Sequence, residues 1–276
     1  MCSAGSDDGG RRVEPVYVSP GNRLSPQSGA FTVARMPADA PTILATSGGI
    51  GAGQRTRLTF TALTDFAVEL SGLTGRAPRM CLLATAMGDD KAVLHYLTEA
   101  AQSRGFMASH VSLFPMPNVD DIAAHLLEQD VVWVFGGSVA GLLAMWRLHG
   151  VDVALRDAWQ AGVVLTGISA GSICWHAGGT TDSFGPQLRA VTNGLGFLPY
   201  ANGVHYDSEA ERRPLLHSLV LDGVLPAAYA TDDGAGLLYR GTELVEAVGE
   251  TGSAGAYFIE ASNGGAVETD LDVRRL

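Results

Sequence analysis

Lysine is almost missing from this chain: Lys91 stands alone, and the remaining basic charge is arginine, a pattern read as coding bias. Basic charge as a whole is scarce, with 18 Lys and Arg against 29 Asp and Glu and a formal net charge of -11. So acidic a chain repels polyanions, which argues against nucleic acid and anionic membranes as partners. Cysteine is rare too. Cys2, Cys81 and Cys174 are widely spaced and odd in number, so reduced thiols in a cytoplasmic setting are expected rather than a disulfide framework. No apolar run reaches membrane-spanning length, and Cys2 has no apolar segment beside it, so neither a signal peptide nor a lipid anchor is expected. Cofactor signatures are also absent. Gly48-Gly49-Ile50-Gly51-Ala52-Gly53 fits no G-x-G-x-x-G register, the second strand ends in Ala84-Thr85-Ala86 without a ribose-binding acid, and there is neither a P-loop nor a His/Cys cluster at metal spacing. The expectation is a site with no metal and no cofactor.

What the chain has is alternating apolar periodicity. Residues 1–35 are rich in Gly, Ser, Pro, Asp and Arg and read as a disordered extension, with Met36 as a candidate start. Residues 36–276 read as a single α/β domain. Strands are expected at Ile43-Leu44-Ala45-Thr46, Met80-Cys81-Leu82-Leu83-Ala84, 109–113, Val131-Val132-Trp133-Val134-Phe135 and 163–166. Helices are expected over about 56–72, 90–104, 119–129 and 139–160, with another near 209–221. Strands that are apolar at nearly every position, joined by helical crossovers, predict a mostly parallel central sheet covered on both faces. Active sites of such sheets lie at the carboxyl ends of the strands. That rim carries Gly48-Gly49, Gly136-Gly137 and Ser169. The tail from 224 onward is glycine-rich and β-like.

Gly167-Ile168-Ser169-Ala170-Gly171 follows the apolar run Val163-Val164-Leu165-Thr166. Strand, sharp turn at a serine, then helix is the arrangement that exposes a nucleophilic hydroxyl and aims the next amide at a developing oxyanion. A serine needs a base, and the base needs a partner that fixes its tautomer. Of seven histidines, His205 in Gly203-Val204-His205-Tyr206-Asp207 has the loop position suited to the task. His176 is expected two turns up the nucleophile's own helix, pointing away. The orienting acid is Asp182 or Asp207, with Asp182 able to reach back over the helix. Gly136-Gly137 ends a buried strand, where its backbone can supply a second oxyanion donor.

The order Ser169, Asp182, His205 within a short stretch, on the fifth strand, resembles the peptidase E and cyanophycinase family of serine peptidases, similar in fold to class I glutamine amidotransferases. The likeness runs from about Thr42 to Val248. It rests on Phe135-Gly136-Gly137-Ser138-Val139 against the family's Gly-Gly-Gly-Asn-Thr, on Gly167 to Gly171, and on Ser172-Ile173-Cys174-Trp175, Asp182-Ser183-Phe184, Gly194-Leu195-Gly196 and His205-Tyr206-Asp207. The resemblance implies a three-layer α/β sandwich and a Ser169, His205, Asp182 triad, with the amides of Gly137 and Ala170 as the oxyanion hole. It also implies small peptide substrates of the dipeptidase type, including Asp-Xaa, with Arg212 and Arg213 as candidates to bind an acidic side chain, and a fold compatible with a homodimer. The altered Gly-Gly-Gly-Asn-Thr leaves the backbone donors in place but not the family's asparagine. The competing readings are an esterase or amidase on a non-peptide acyl group, and a silent binding relative.

Overall fold

The first strand shows how the layers arise. Ile43 and Ala45 face one hydrophobic cluster while Leu44 between them faces another, and Leu82 likewise points away from Cys81 and Leu83. A strand buried on both faces has no polar side to show, which is why these segments are apolar throughout rather than alternating.

The structure, a computed structural model, describes Ala38 and residues 40–276, so the expected extension over 1–35 lies outside the described residues. The described residues begin with β1 (Thr42–Thr46), the short strands β2 (Ile50–Ala52) and β3 (Leu58–Phe60), α1 (Ala62–Glu69), β4 (Arg79–Leu83), α2 (Lys91–Ser103) and β5 (Met107–His110). Next come α3 (Ile122–Leu127), β6 (Val131–Val134), α4 (Val139–His149), α5 (Val151–Gln160), β7 (Val164–Ile168) and the one-turn α6 (Ala170–Ile173). After it lie β8 (His176–Thr181), β9 (Arg189–Val191), β10 (Leu198–Gly203), α7 (Arg212–Leu221) and β11 (Ala228–Thr231). The chain finishes in β12 (Ala235–Arg240), β13 (Glu243–Gly249), β14 (Ala256–Ser262), β15 (Gly265–Asp270) and β16 (Val273–Arg275).

The large sheet has the order β16-β13-β12-β1-β7-β6-β4-β5. Its run β1-β7-β6-β4-β5 is parallel throughout, and β12 joins β1 antiparallel. Residues of α1 and α2 cover one face, and residues of α3, α4, α5 and α6 cover the other. This is the mostly parallel α/β sandwich expected.

Three local expectations are corrected. The helix placed over 56–72 starts only at Ala62, because Leu58-Thr59-Phe60 is extended and pairs with Ile50–Ala52. The backbone amide of Leu63 then finds its acceptor in Glu250 Oε1 (2.9 Å). The third strand is Met107–His110, and Val111, Leu113 and the loop beyond leave the sheet. The nucleophile helix is a single turn, so His176 opens β8 instead of riding two turns up. β8 belongs to a second sheet of six strands, β15-β14-β11-β10-β8-β9, whose outer side is covered by α7. That sheet was legible only as a β-like tail.

Candidate active site

Ser169 is forced into its position by what surrounds it. A side chain at Gly167 or Gly171 would run into the backbone carbonyl of Val134 on the neighbouring strand, so both flanks of the serine must be glycine. The chain therefore turns sharply at Ser169 itself, with φ 59° and ψ -113°. A non-glycine residue at such a φ costs on the order of 1–3 kcal/mol, strain that survives only where the surroundings fix it. They do: the Ser169 amide donates to Thr46 O (3.2 Å), and its carbonyl accepts from Ser172 (2.8 Å) and Ile173 (2.9 Å). Ser169 is half-buried.

His205, just past the end of β10, is strained as well, with φ 53°. Its amide donates to Ser47 Oγ (3.2 Å), one residue along from the carbonyl that holds Ser169. Ser47 also donates its amide to Ala235 O (2.9 Å) and accepts from Gly234 N (3.0 Å). Three loops, carrying Ser169, His205 and Asp233, are thus pinned on the Thr46-Ser47 dipeptide at the end of β1. Sequence reasoning placed the neighbouring Gly48-Gly49 on the rim and gave Ser47 no role.

The imidazole Nδ1 of His205 meets Asp233 Oδ1 at 2.5 Å. That contact assigns the proton to Nδ1 and leaves Nε2 as the acceptor a serine needs. Asp233, not Asp182, is the carboxylate brought to the histidine. Asp182 is exposed at the end of β8, and its carbonyl accepts from Gly185 in a tight turn. The adjoining Ser183 Oγ accepts from the Ala140 amide (3.3 Å), so this turn packs on the start of α4. Asp207 does not reach the ring either. Its Oδ1 accepts from the Asp233 amide (2.9 Å) and so holds the loop that carries the acid. No hydrogen bond joins Ser169 Oγ to His205 here; such bonds often tighten only around a substrate.

The expected oxyanion donors stand as follows. The amides of Gly137 and Ala170 have no hydrogen-bond acceptor among the described residues, and Gly136 packs on the serine, a Cβ built there lying 3.7 Å from Ser169 Oγ. Gly137 has φ 129°, and a Cβ on it would be 2.5 Å from Ala86 O, so no other residue keeps this turn. Unpartnered amides beside a strained serine are the geometry that stabilises an alkoxide.

Arg212 and Arg213 are committed elsewhere. Arg212 is buried, its Nε on Glu209 (2.9 Å) and its Nη1 on Thr180 O (2.6 Å). Arg213 pairs with Glu268 and lies over the rings of Tyr206 and Tyr257. These contacts knit α7 to the second sheet. Cys81 and Cys174 are buried, and burial pushes both thiols up, Cys81 to about 12, which removes them as rival nucleophiles.

Residues 43–247 match the family model described as peptidase family S51. The chain is 40% identical over 199 residues to an uncharacterized peptidase of Bacillus subtilis (strain 168), YgaJ, which covers 72% of this chain and 85% of the relative. Two solved structures share the fold. A peptidase from an acI-B1 Actinobacterium aligns with TM-score 0.59 at 16% identity, over 87% of this chain and 98% of its own. A putative peptidase E protein from Listeria monocytogenes EGD-e aligns with TM-score 0.52 at 15% identity, over 74% and 96%. No helix among the described residues is long and apolar enough to cross a membrane.

Proposed function

This chain belongs to peptidase family S51 and is a serine peptidase, and from that premise we propose that Ser169 is its nucleophile, His205 its general base and Asp233 the acid that orients the base. Nε2 of His205 takes the hydroxyl proton as Ser169 Oγ attacks the scissile carbonyl. The amides of Gly137 and Ala170 receive the oxyanion. The imidazolium then gives its proton to the leaving amine, and a water, deprotonated by the same ring, releases the acyl group. The observation that carries this reading is the pairing of two strained residues, Ser169 and His205, on adjacent residues at the end of β1, Thr46 and Ser47, with Nδ1 of the histidine already held by a carboxylate.

Short peptides are the proposed substrates. A requirement for an N-terminal aspartate finds no support in Arg212 or Arg213, whose guanidinium groups serve Glu209, Thr180 and Glu268. The test is covalent labelling with a fluorophosphonate, followed by peptide mapping, and turnover of a peptide panel by wild type and Ser169→Ala. The expected result is label on Ser169 alone, with turnover lost in the variant. Label on any other residue, or unchanged turnover in Ser169→Ala, overturns the assignment.

A further inference from the structure

The side chain of Asp233 is 49% exposed, and it reaches His205 from the short connection between β11 and β12. A half-exposed carboxylate has several rotamers open to it, so its aim depends on how firmly the backbone behind it is held. Its neighbour Asp232 is the reverse case, only 5% exposed. The Asp232 amide donates to Gly255 O (3.0 Å), and Asp232 Oδ2 accepts from both Gly255 N (3.0 Å) and the Tyr257 hydroxyl (3.0 Å). The seat of this carboxylate is fitted to it: a Cβ at Gly255 would lie 2.6 Å from Asp232 Oδ2 and would press on the Tyr257 hydroxyl as well. Burial pushes the Asp232 carboxyl above its ordinary range, and its Oδ1 has no partner among the described residues. A carboxylate kept in this way opposes folding, so the reason for it is to be sought in what it holds in place.

Tyr257 is anchored in turn. The Arg213 guanidinium lies over its ring, 4.5 Å from the centroid, and over that of Tyr206 at 4.4 Å, and the two rings pack with centroids 5.4 Å apart. Tyr206 donates to Glu268 Oε2 (2.9 Å), and Glu268 also pairs with Arg213 and His217 of α7. Tyr206 follows His205 directly, as Asp232 directly precedes Asp233. One brace therefore ends one residue from the base on one arm and one residue from its acid on the other. Both arms meet at Arg213, the residue that sequence reasoning offered to the substrate.

We propose that Asp232 is a positioning residue for the hydrolysis: by its bonds to Gly255 and Tyr257 it sets where the Asp233 carboxylate stands against Nδ1 of His205. This rests on Ser169, His205 and Asp233 being the triad. Asp232 touches none of the reacting atoms and acts through Asp233. A displacement of the acid by about 1 Å is enough to cost up to about a hundredfold in rate. What the role requires of Asp232 is an acceptor oxygen at the Oδ2 position rather than a charge, and asparagine can supply that oxygen to both donors.

The test is a double-mutant cycle, read as kcat and KM on the best peptide of the panel, with thermal unfolding as the control for folding. Asp232→Ala is expected to lower kcat about ten- to a hundredfold with KM within about twofold, and Asp232→Asn to recover most of that loss. Beside Asp233→Ala, the change Asp232→Ala should cost no more than about twofold further, because a carboxylate that is missing cannot be misplaced. Tyr257→Phe, which removes one donor and little volume, should lower kcat about fivefold and lose that effect beside Asp233→Ala; it carries the cycle should Asp232→Ala not fold. Near-native kcat in Asp233→Ala alone brings down the acid assignment, and this inference with it. Where Asp233→Ala does lose activity, three results overturn the positioning role alone: near-native kcat in folded Asp232→Ala, equal losses in Asp232→Ala and Asp232→Asn, or full costs that persist beside Asp233→Ala.

Discussion

Replacing Asp233 by Asn separates the proposed triad from the one the sequence suggested. In the native site the carboxylate accepts from Nδ1 of His205 at 2.5 Å, and in the proposed mechanism it offsets the charge of the imidazolium that forms during attack. An asparagine presents an amide that can donate to Nδ1, which moves the ring proton to Nε2 and blocks acceptance of the serine proton. In the chymotrypsin-type triad that exchange costs about 10⁴ in rate. Here the Asp233 side chain is 49% exposed, so water screens part of its effect and supplies part of its role. A fall of about 10² to 10³ in kcat/KM is therefore expected, equivalent to about 3–4 kcal/mol at the transition state. Asp182→Asn should stay within about twofold, since an exposed turn residue is being changed. Asp207→Ala, which frees the Asp233 amide, forfeits one hydrogen bond of about 1 kcal/mol and should cost roughly fivefold. The assay is kcat/KM on the best peptide of the panel, with thermal unfolding as a control for folding. A hundredfold loss in Asp182→Asn beside near-native Asp233→Asn would refute the assignment.

Two further outcomes follow from the same structure. Gly137→Ala should lower kcat by about 10² or more through a displaced oxyanion amide, and should also lower stability in urea unfolding, because its Cβ would press on Ala86 O; native kcat in this variant would remove Gly137 from the oxyanion hole. His176 is sealed between Ser172 O and Tyr239, and burial lowers its pKa to about 4. The folded state holds it neutral while the unfolded chain takes up a proton below about 6.5, so this contribution is complete above that pH and is lost as pH falls toward 4. Unfolding free energy should drop by about 2 kcal/mol between pH 7 and pH 5 on this account, and a variant His176→Gln should lose much of that slope; an unchanged slope would assign the pH dependence to other groups.

The parallel sheet was readable because burial on two faces leaves a simple signature, uninterrupted apolar strands such as Val131–Val134. Ser169 was readable because its flanking glycines are demanded by a close carbonyl, a constraint that only small residues meet. The second sheet was not. His176 reads as part of the nucleophile's helix, yet His176-Ala177-Gly178-Gly179-Thr180-Thr181 is a buried strand. Its glycines are there because Val191 O and Asn202 O lie where their side chains would be, and such a tertiary demand leaves no periodicity to read. Asp233 escaped notice for a related reason. It lies in the Asp232-Asp233-Gly234 connection by which the chain passes from β11 of one sheet to β12 of the other, and only the assembled pair of sheets brings it to His205. A signal was available, since Gly234 ends a β-like run as Gly136-Gly137 ends a buried strand, and two acids stand directly before it.

The strain at Ser169 and His205 is held in common rather than separately. Both residues have a φ near 55–60°, and both hang by their amides from β1, one from the Thr46 carbonyl and one from the Ser47 hydroxyl. Ser47 Oγ in turn contacts Thr231, at the end of the strand that leads to Asp233. A central strand with neighbours on both sides, β12 and β7, moves less than a loop, so hanging three loops on its end fixes their mutual distances better than contacts between the loops themselves. The bulk of the catalytic geometry is then a property of the sheet order around β1, with the side chains of Ser169, His205 and Asp233 as its outermost layer.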